Sequence, residues 1–297
     1  MAITLGHNQY GKDEIRVVRL LRATEPHQIL DYNVNVSLVG DFDAAHLEGD
    51  NRNVVPTDTS KNTTFAYAKH DDVVAQPESY GLALARHFVD DVEAVSRARI
   101  SLEMYPWTRL THDGAPHPYS FVRTGSHVRT ACVTYDGTGT WVVSGVKDMT
   151  VLKTTDSEFV DFYTDQYTTL QAATDRILAT TIRAQWWHTD TDRDWGQSFD
   201  TVHGAMLDAF AGHYSKALQQ SAYLMGEAAL TADPGVAEIR FTCPNSHHFA
   251  YDLEKMGIDN NNEVFHADDR PYGQIEATIR RDDAGDPGPA FDPGQGW

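Results

Sequence analysis

Four short stretches of this sequence carry the side chains from which a reactive site could be built. They are Asn8-Gln9-Tyr10-Gly11-Lys12, Thr57-Asp58-Thr59-Ser60-Lys61-Asn62-Thr63, Asp175-Arg176 and Pro244-Asn245-Ser246-His247. A lysine amine beside a threonine hydroxyl makes a proton relay when enclosure favours the neutral amine. Apart from each other, Lys12 is an ordinary surface lysine and Thr57 a helix cap. Arg176 is either half of a surface ion pair with Asp175 or a planar fork that grips an anion or imide edge through two parallel hydrogen bonds. Phe159 fits a helix core by its spacing, and a phenyl ring also covers a flat heterocycle. The Asn245 amide and the His247 imidazole, in a loop after a strand run, suit a binding or proton-transfer site better together than alone.

Cofactor signatures are missing. Gly137-Thr138-Gly139 resembles the start of a dinucleotide fingerprint, but the third glycine is lacking and an aromatic strand follows where a helix should open. No phosphate-binding G-x-x-x-x-G-K-[ST] loop, H-E-x-x-H helix or G-x-S-x-G elbow occurs. His247-His248 is the only adjacent histidine pair. Neighbours on a strand point to opposite faces, so a metal would need one of them together with His188 or His203. Cys132 and Cys243 are too few for a disulfide framework or a thiolate cluster.

The elements that must position these residues follow from periodicity. Ile15–Leu21 and Asn33–Val39 read as strands joined through Glu25-Pro26-His27-Gln28. In the second, Val34, Val36 and Leu38 face a core, while Asn33, Asn35 and Ser37 form a wet or site-lining face. A helix starts near Thr57 and runs into Phe65–Ala68. Another starts at Pro77, with Tyr80, Leu84, Phe88 and Val92 as its apolar face. Arg99–Met104 and Val128–Tyr135 are strands, and Asp113-Gly114 and Asp136-Gly137 are exposed reversals.

The second half repeats the order. Trp141–Leu152 is a strand interrupted near Lys147-Asp148. Thr155 and Glu158 match a capping box for a helix bearing Phe159, Tyr163, Leu170 and Ile177. Ile182–Trp187 is strand-like, Val202–Leu230 is helical, and Ala237–Thr242 and Gln274–Ile279 are strands. The organisation is therefore two similar α+β units, residues 1–137 and 138–281, followed by an acidic Gly/Pro-rich tail, 282–297, that is loose or packed on a neighbouring subunit.

A net charge of −19 argues against nucleic-acid binding, which needs concentrated Lys and Arg. It leaves room for an anionic small molecule in a locally basic pocket. No apolar run reaches membrane-spanning length, and neither end carries a leader or a peroxisomal address, so a cytoplasmic protein is expected.

These same motifs, in this order, resemble the urate oxidase (uricase) family, bacterial type. The Lys12 and Thr57 motifs, Phe159 with Asp165-Gln166-Tyr167-Thr168-Thr169-Leu170 and Asp175-Arg176-Ile177-Leu178, Pro244-Asn245-Ser246-His247-His248-Phe249, and Asn262-Glu263-Val264-Phe265 span residues 6 to 280. The third group looks like that family's long central helix.

The resemblance implies two tandem tunnelling-fold domains, each an antiparallel sheet with helices on one face. The sheets close into barrels on oligomerisation, which removes their exposed edges. It implies a homotetramer with active sites at subunit interfaces, and oxidation of urate by O₂ and water to 5-hydroxyisourate and hydrogen peroxide with no cofactor. It assigns Arg176 and Gln219 to opposite edges of the purine, Phe159 to its plane, and Leu218 and Asp58 to backbone N–H contacts. Lys12, Thr57 and His247 form the proton relay, and Asn245 holds the O₂ or water. Gln220 is an alternative to Gln219. Leu218 replaces the family's frequent valine, and Pro56 stands where a small residue is common. Two other readings compete: a zinc-dependent pterin-type enzyme on the same fold, and a non-catalytic oligomeric scaffold.

Overall fold

Tyr10–Leu21 (β1) and Gln28–Gly40 (β2) form an antiparallel hairpin in the computed structural model, which describes residues 1–23, 25–125 and 127–293, with Asp269 by its backbone alone. Val34, Val36 and Leu38 are fully buried, as their alternation predicts. The opposite face is not open to water. Asn33 donates to Glu14 Oε2 at 2.9 Å, Ser37 donates to Gln9 Oε1 at 3.2 Å, and both residues are buried. Polar side chains just before and within β1 cover it, a long-range effect that strand alternation cannot register.

Four helices follow: α1 (Asp43–Leu47), α2 (Thr57–Tyr67), α3 (Asp71–Val74) and α4 (Pro77–Asp90). Tyr80, Leu84 and Phe88 are buried on α4, which packs against β3 (Val95–Met104) and, further along, Val128–Tyr135. Between those strands lies a hairpin absent from the sequence reading, β4 (Trp107–His112) with β5 (Ala115–Arg123). Its residues are exposed or only partly buried, and Pro116 and Pro118 fall inside β5, so neither strand carries an apolar alternation. Its reversal, Asp113-Gly114, has positive φ at both residues (50° and 77°), as a tight hairpin turn requires. Val128–Tyr135 is β6, and the neighbours in this sheet run β1-β2-β3-β6, then β7 (Thr140–Lys153).

Contacts divide the chain into two units within β7. The first comprises Met1–Gly145, Trp187–Gln197 and the stretch from Gly285; the second comprises Val146–Trp186 and Ser198–Ala284. The expected boundary near Gly137–Gly139 is a hairpin turn instead. The passage between units lies inside one strand, where Val142 belongs to the first core and Val146 and Met149 to the second. The expected interruption of this strand is present as a positive φ of 59° at Asp148. The acidic tail is not loose over its described part. Gly288–Phe291 makes a 3₁₀ turn, Ala290 is buried beside Cys132 and Val143, and Arg99 donates to the Pro289 carbonyl at 3.1 Å. The last four residues lie outside the described part.

The second unit contains β8 (Leu178–His188), α5 (Trp195–Gly212), α6 (Leu218–Ala232), β9 (Val236–Ala250) and β10 (Phe265–Arg280), with neighbours in the order β7-β8-β9-β10. The long helical region splits into α5 and α6. Met206, Phe210, Leu218 and Met225 are buried, and Tyr214, in the break, is exposed. The helix expected after Thr155 does not exist: residues 154–177 are irregular. Thr155 donates to Asp175 at 2.9 Å rather than capping, and Asp156 and Asp161 have φ near +58° and +55°, values a helix cannot hold. Tyr163, Tyr167 and Leu170, whose spacing mimics an apolar stripe, are exposed.

Each unit thus runs strand, strand, helices, strand, strand, and in each a helical glycine lets a helix sit close to the sheet. A Cβ at Gly226 on α6 would stand 2.8–2.9 Å from Cγ1, Cβ and Cδ1 of Ile279 on β10. Crowding of that kind costs about 1–3 kcal/mol, against about 1 kcal/mol gained from alanine's helix propensity. Gly226→Ala should therefore lower stability in urea unfolding by roughly 1–2 kcal/mol; an unchanged or higher midpoint would show that the helix shifts freely.

Candidate active site

Phe159 and Arg176 meet because the irregular segment between them folds back on itself. Phe159 and Ala173 exchange backbone hydrogen bonds of 2.7 and 3.0 Å, and the Arg176 N–H donates to the Ser157 carbonyl at 2.9 Å. The guanidinium carbon of Arg176 sits 5.1 Å from the Phe159 ring centroid, and Phe162 stacks on the other ring partner at 5.0 Å. Asp175 accepts from Thr155. Among the described residues no carboxylate pairs with Arg176, and its Nε is buried without an acceptor. Burial also lowers the guanidinium pKa from its ordinary value, though arginine stays charged. The surface ion pair with Asp175 is therefore not formed.

The same segment is stitched to the start of α6. Ser215 donates its N–H to the Asp156 carbonyl at 2.9 Å and accepts from the Glu158 N–H at 2.8 Å. Ala217, extended, occupies the N-cap of α6 without a side-chain cap, so the first-turn N–H groups have no acceptor inside the helix. Leu218 is buried and Gln219 exposed. Gln220 is already engaged, its Oε1 accepting the Lys216 N–H at 2.9 Å.

Asn245 and His247 are not in a loop, as the sequence suggested, but within β9, opposite Gly273 and Asp268 of β10. The register slips between those two partners, which frees the polar pair from a regular ladder. Two residues apart on a strand, they share a face. His247 stacks on Phe249 at 5.7 Å, while His248 turns its Nδ1 to the Ser246 carbonyl at 3.2 Å.

Lys12, Thr57 and Asp58 lie in the first unit. Lys12 pairs with Val36 just before a bulge at which Glu14 has a φ of 58°. α2 packs on β1 and opens with Pro56 at its N-cap, so Thr57 is the first helical residue and makes no cap hydrogen bond. Asp58 accepts from Lys61 at 2.5 Å and Asn62 at 2.9 Å. These bonds, the Lys61 one first, hold its carboxyl below the usual carboxylate range, and the Lys12 charge adds to the effect. No hydrogen bond joins Lys12 to Thr57 among the described residues.

The metal alternative fails on the side chains present. Both ring nitrogens of His188 are engaged, Nε2 with Ser144 Oγ at 2.8 Å and Nδ1 with Arg193 at 2.9 Å. Among the described residues no three His, Cys, Asp or Glu side chains converge as a metal site. No helix there is long and apolar enough to cross a membrane. Sequence reasoning missed Ser215, whose backbone holds the Phe159 segment. Its only signal is its place in the break between the two helices.

Duplicated antiparallel sheets, each with its helices between the second and third strands, define a tunnelling-fold α+β protein. The family model described as Uricase matches residues 8–134 and 142–276, two stretches with a gap ahead of β7. Uricase of Arthrobacter globiformis is 46% identical over 280 residues, 94% of this chain and 91% of that one. Uricase of Dictyostelium discoideum is 34% identical, covering 94% and 98%. A crystal structure of the Arthrobacter globiformis uricase superposes with a TM-score of 0.91 at 45% identity, over 96% of this chain and 98% of that one. The chain belongs to the uricase family.

Proposed function

We propose that this chain oxidises urate with O₂ and water to 5-hydroxyisourate and hydrogen peroxide, using neither metal nor organic cofactor. The observation that carries the reading, beside family membership, is the unpaired Arg176 guanidinium over Phe159, tied through Ser157 and Ser215 to the uncapped start of α6. Arg176 grips one edge of the urate anion as a two-pronged donor, and Phe159 covers the ring plane. Gln219 holds the opposite imide edge as donor and acceptor at once; the engagement of Gln220 with Lys216 favours this choice. The Leu218 N–H adds a contact from a helix start that favours anions. The carboxylate of Asp58 is occupied, which suits a role through its backbone N–H.

Lys12 and Thr57 move protons, with His247 exchanging one with water or peroxide and Asn245 fixing the small molecule. Urate, an electron-rich conjugated anion, supplies the electrons to O₂; the protein supplies orientation and electrostatics. In this account the first-unit group of one subunit and the second-unit group of its neighbour complete each site. Barrels closed by two subunits and stacked as a homotetramer bring them together, and closure removes the exposed sheet edges.

The test follows urate absorbance and peroxide release in parallel, on protein exhaustively treated with chelator and free of flavin. The full rate is expected. Activity lost on chelation and restored by one metal would overturn the cofactor-free reading.

A further inference from the structure

His213 stands in the break between α5 and α6 and belongs to none of the roles above. Its Nδ1 lies 2.6 Å from the Ala209 carbonyl, an atom that only accepts, so Nδ1 carries the proton. In the neutral ring, Nε2 then accepts from the Ser221 hydroxyl at 2.9 Å. Ser221 Oγ in turn lies 2.8 Å from Ser215 Oγ, whose hydroxyl has Ser221 and the Ala217 carbonyl, at 3.2 Å, within reach. Ser215 and Ser221 are fully buried. The backbone carbonyl of His213 accepts from the Lys153 ammonium.

This chain of hydrogen bonds ends on two pieces of the substrate group. Ser221 lies in the first turn of α6, three residues after Leu218 and two after Gln219. Ser215 carries on its backbone the Asp156–Glu158 segment, whose Ser157 carbonyl receives the Arg176 N–H. The Arg176 clamp and the Gln219 clamp come from segments far apart in sequence, and a flat substrate gripped at both edges needs their spacing held. We propose that His213 is a positioning residue that sets this spacing, acting through Ser221 and Ser215 without touching urate. The inference rests on the assignment of Arg176 and Gln219 as the two clamps. Because it acts on grip rather than on proton transfer, its loss falls on KM and spares kcat.

The test uses the full-length protein and three variants. His213→Phe keeps a flat ring of similar size and removes both polar atoms; His213→Gln keeps a polar end able to meet Ser221; Ser221→Ala removes the middle of the chain. His213→Phe and Ser221→Ala should raise the urate KM by about 10–100-fold, the order expected of a misplaced clamp, with kcat within about threefold of wild type. His213→Gln should recover part of the loss. Binding of xanthine, a related dione, should weaken in parallel. Should His213→Phe fail to fold, Ser221→Ala carries the comparison alone. A folded variant with wild-type KM, or a kcat loss as large as the KM change, overturns the positioning role. Arg176→Lys is assayed alongside. If it is impaired while His213→Phe is not, only the positioning role fails; if it matches wild type, the clamp assignment itself fails.

Discussion

Replacing Lys12 with methionine is expected to lower kcat for urate by about 10²–10⁴-fold, the range of a lost general acid or base. Methionine keeps the length of the stem and removes the amine. A threonine hydroxyl alone is a poor base, because its proton leaves only at very high pH. The Lys12 amine passes that proton on, and Thr57 sits where the relay needs it, at the head of α2 with its hydroxyl free of cap duty. Urate binding should change much less, because Arg176 and Gln219 hold the substrate. Stopped-flow measurement of urate consumption together with a KM determination checks both halves. A variant within about threefold of wild-type kcat, a fraction of a kcal/mol, would remove Lys12 from the chemistry.

Arg176→Lys is the second large effect. Losing a charge-assisted two-pronged contact should cost about 2–5 kcal/mol in kcat/KM, roughly 30-fold to several thousand-fold. Lysine keeps the charge, so a purely electrostatic role would survive the change, whereas a fork cannot be copied by a point charge. The arginine Nε, buried and without an acceptor, is the structural reason to expect the larger loss. A kcat/KM within about threefold of wild type would show that this arginine is not the clamp.

Much of the architecture was legible in local pattern. The alternation of Val34, Val36 and Leu38, the four-residue spacing of Tyr80, Leu84 and Phe88, and the kink at Asp148 each report a local preference that tertiary structure keeps. The stretch 154–177 misled for a definable reason. Tyr163 and Leu170 fall at helical spacing, but the backbone there is set by hydrogen bonds to Ser215 and within the Phe159–Ala173 pair, which no local periodicity encodes. The β4–β5 hairpin was invisible because it buries too little to need an apolar face. At the site, residue types were readable, and Arg176 and Phe159 do meet. Their supports were not readable, since Ser215, Ser221 and His213 are small or common residues whose meaning lies in contacts across the chain. The unit boundary lay in a continuous strand, where composition gives no sign.

Complementation between two dead variants tests the shared site most directly. Lys12→Met and His247→Ala chains are each inactive in this account, one lacking the first-unit group and the other the second-unit group. Mixed under conditions that exchange subunits, with hybrids verified by mass, a Lys12→Met chain offers an intact His247 to the intact Lys12 of its neighbour. One site of such a pair is whole and the other carries both lesions. Urate oxidation and peroxide release should therefore reappear in the mixture, at up to half the wild-type rate per mixed pair. Verified hybrids that remain as inactive as either parent would contradict a site shared between subunits.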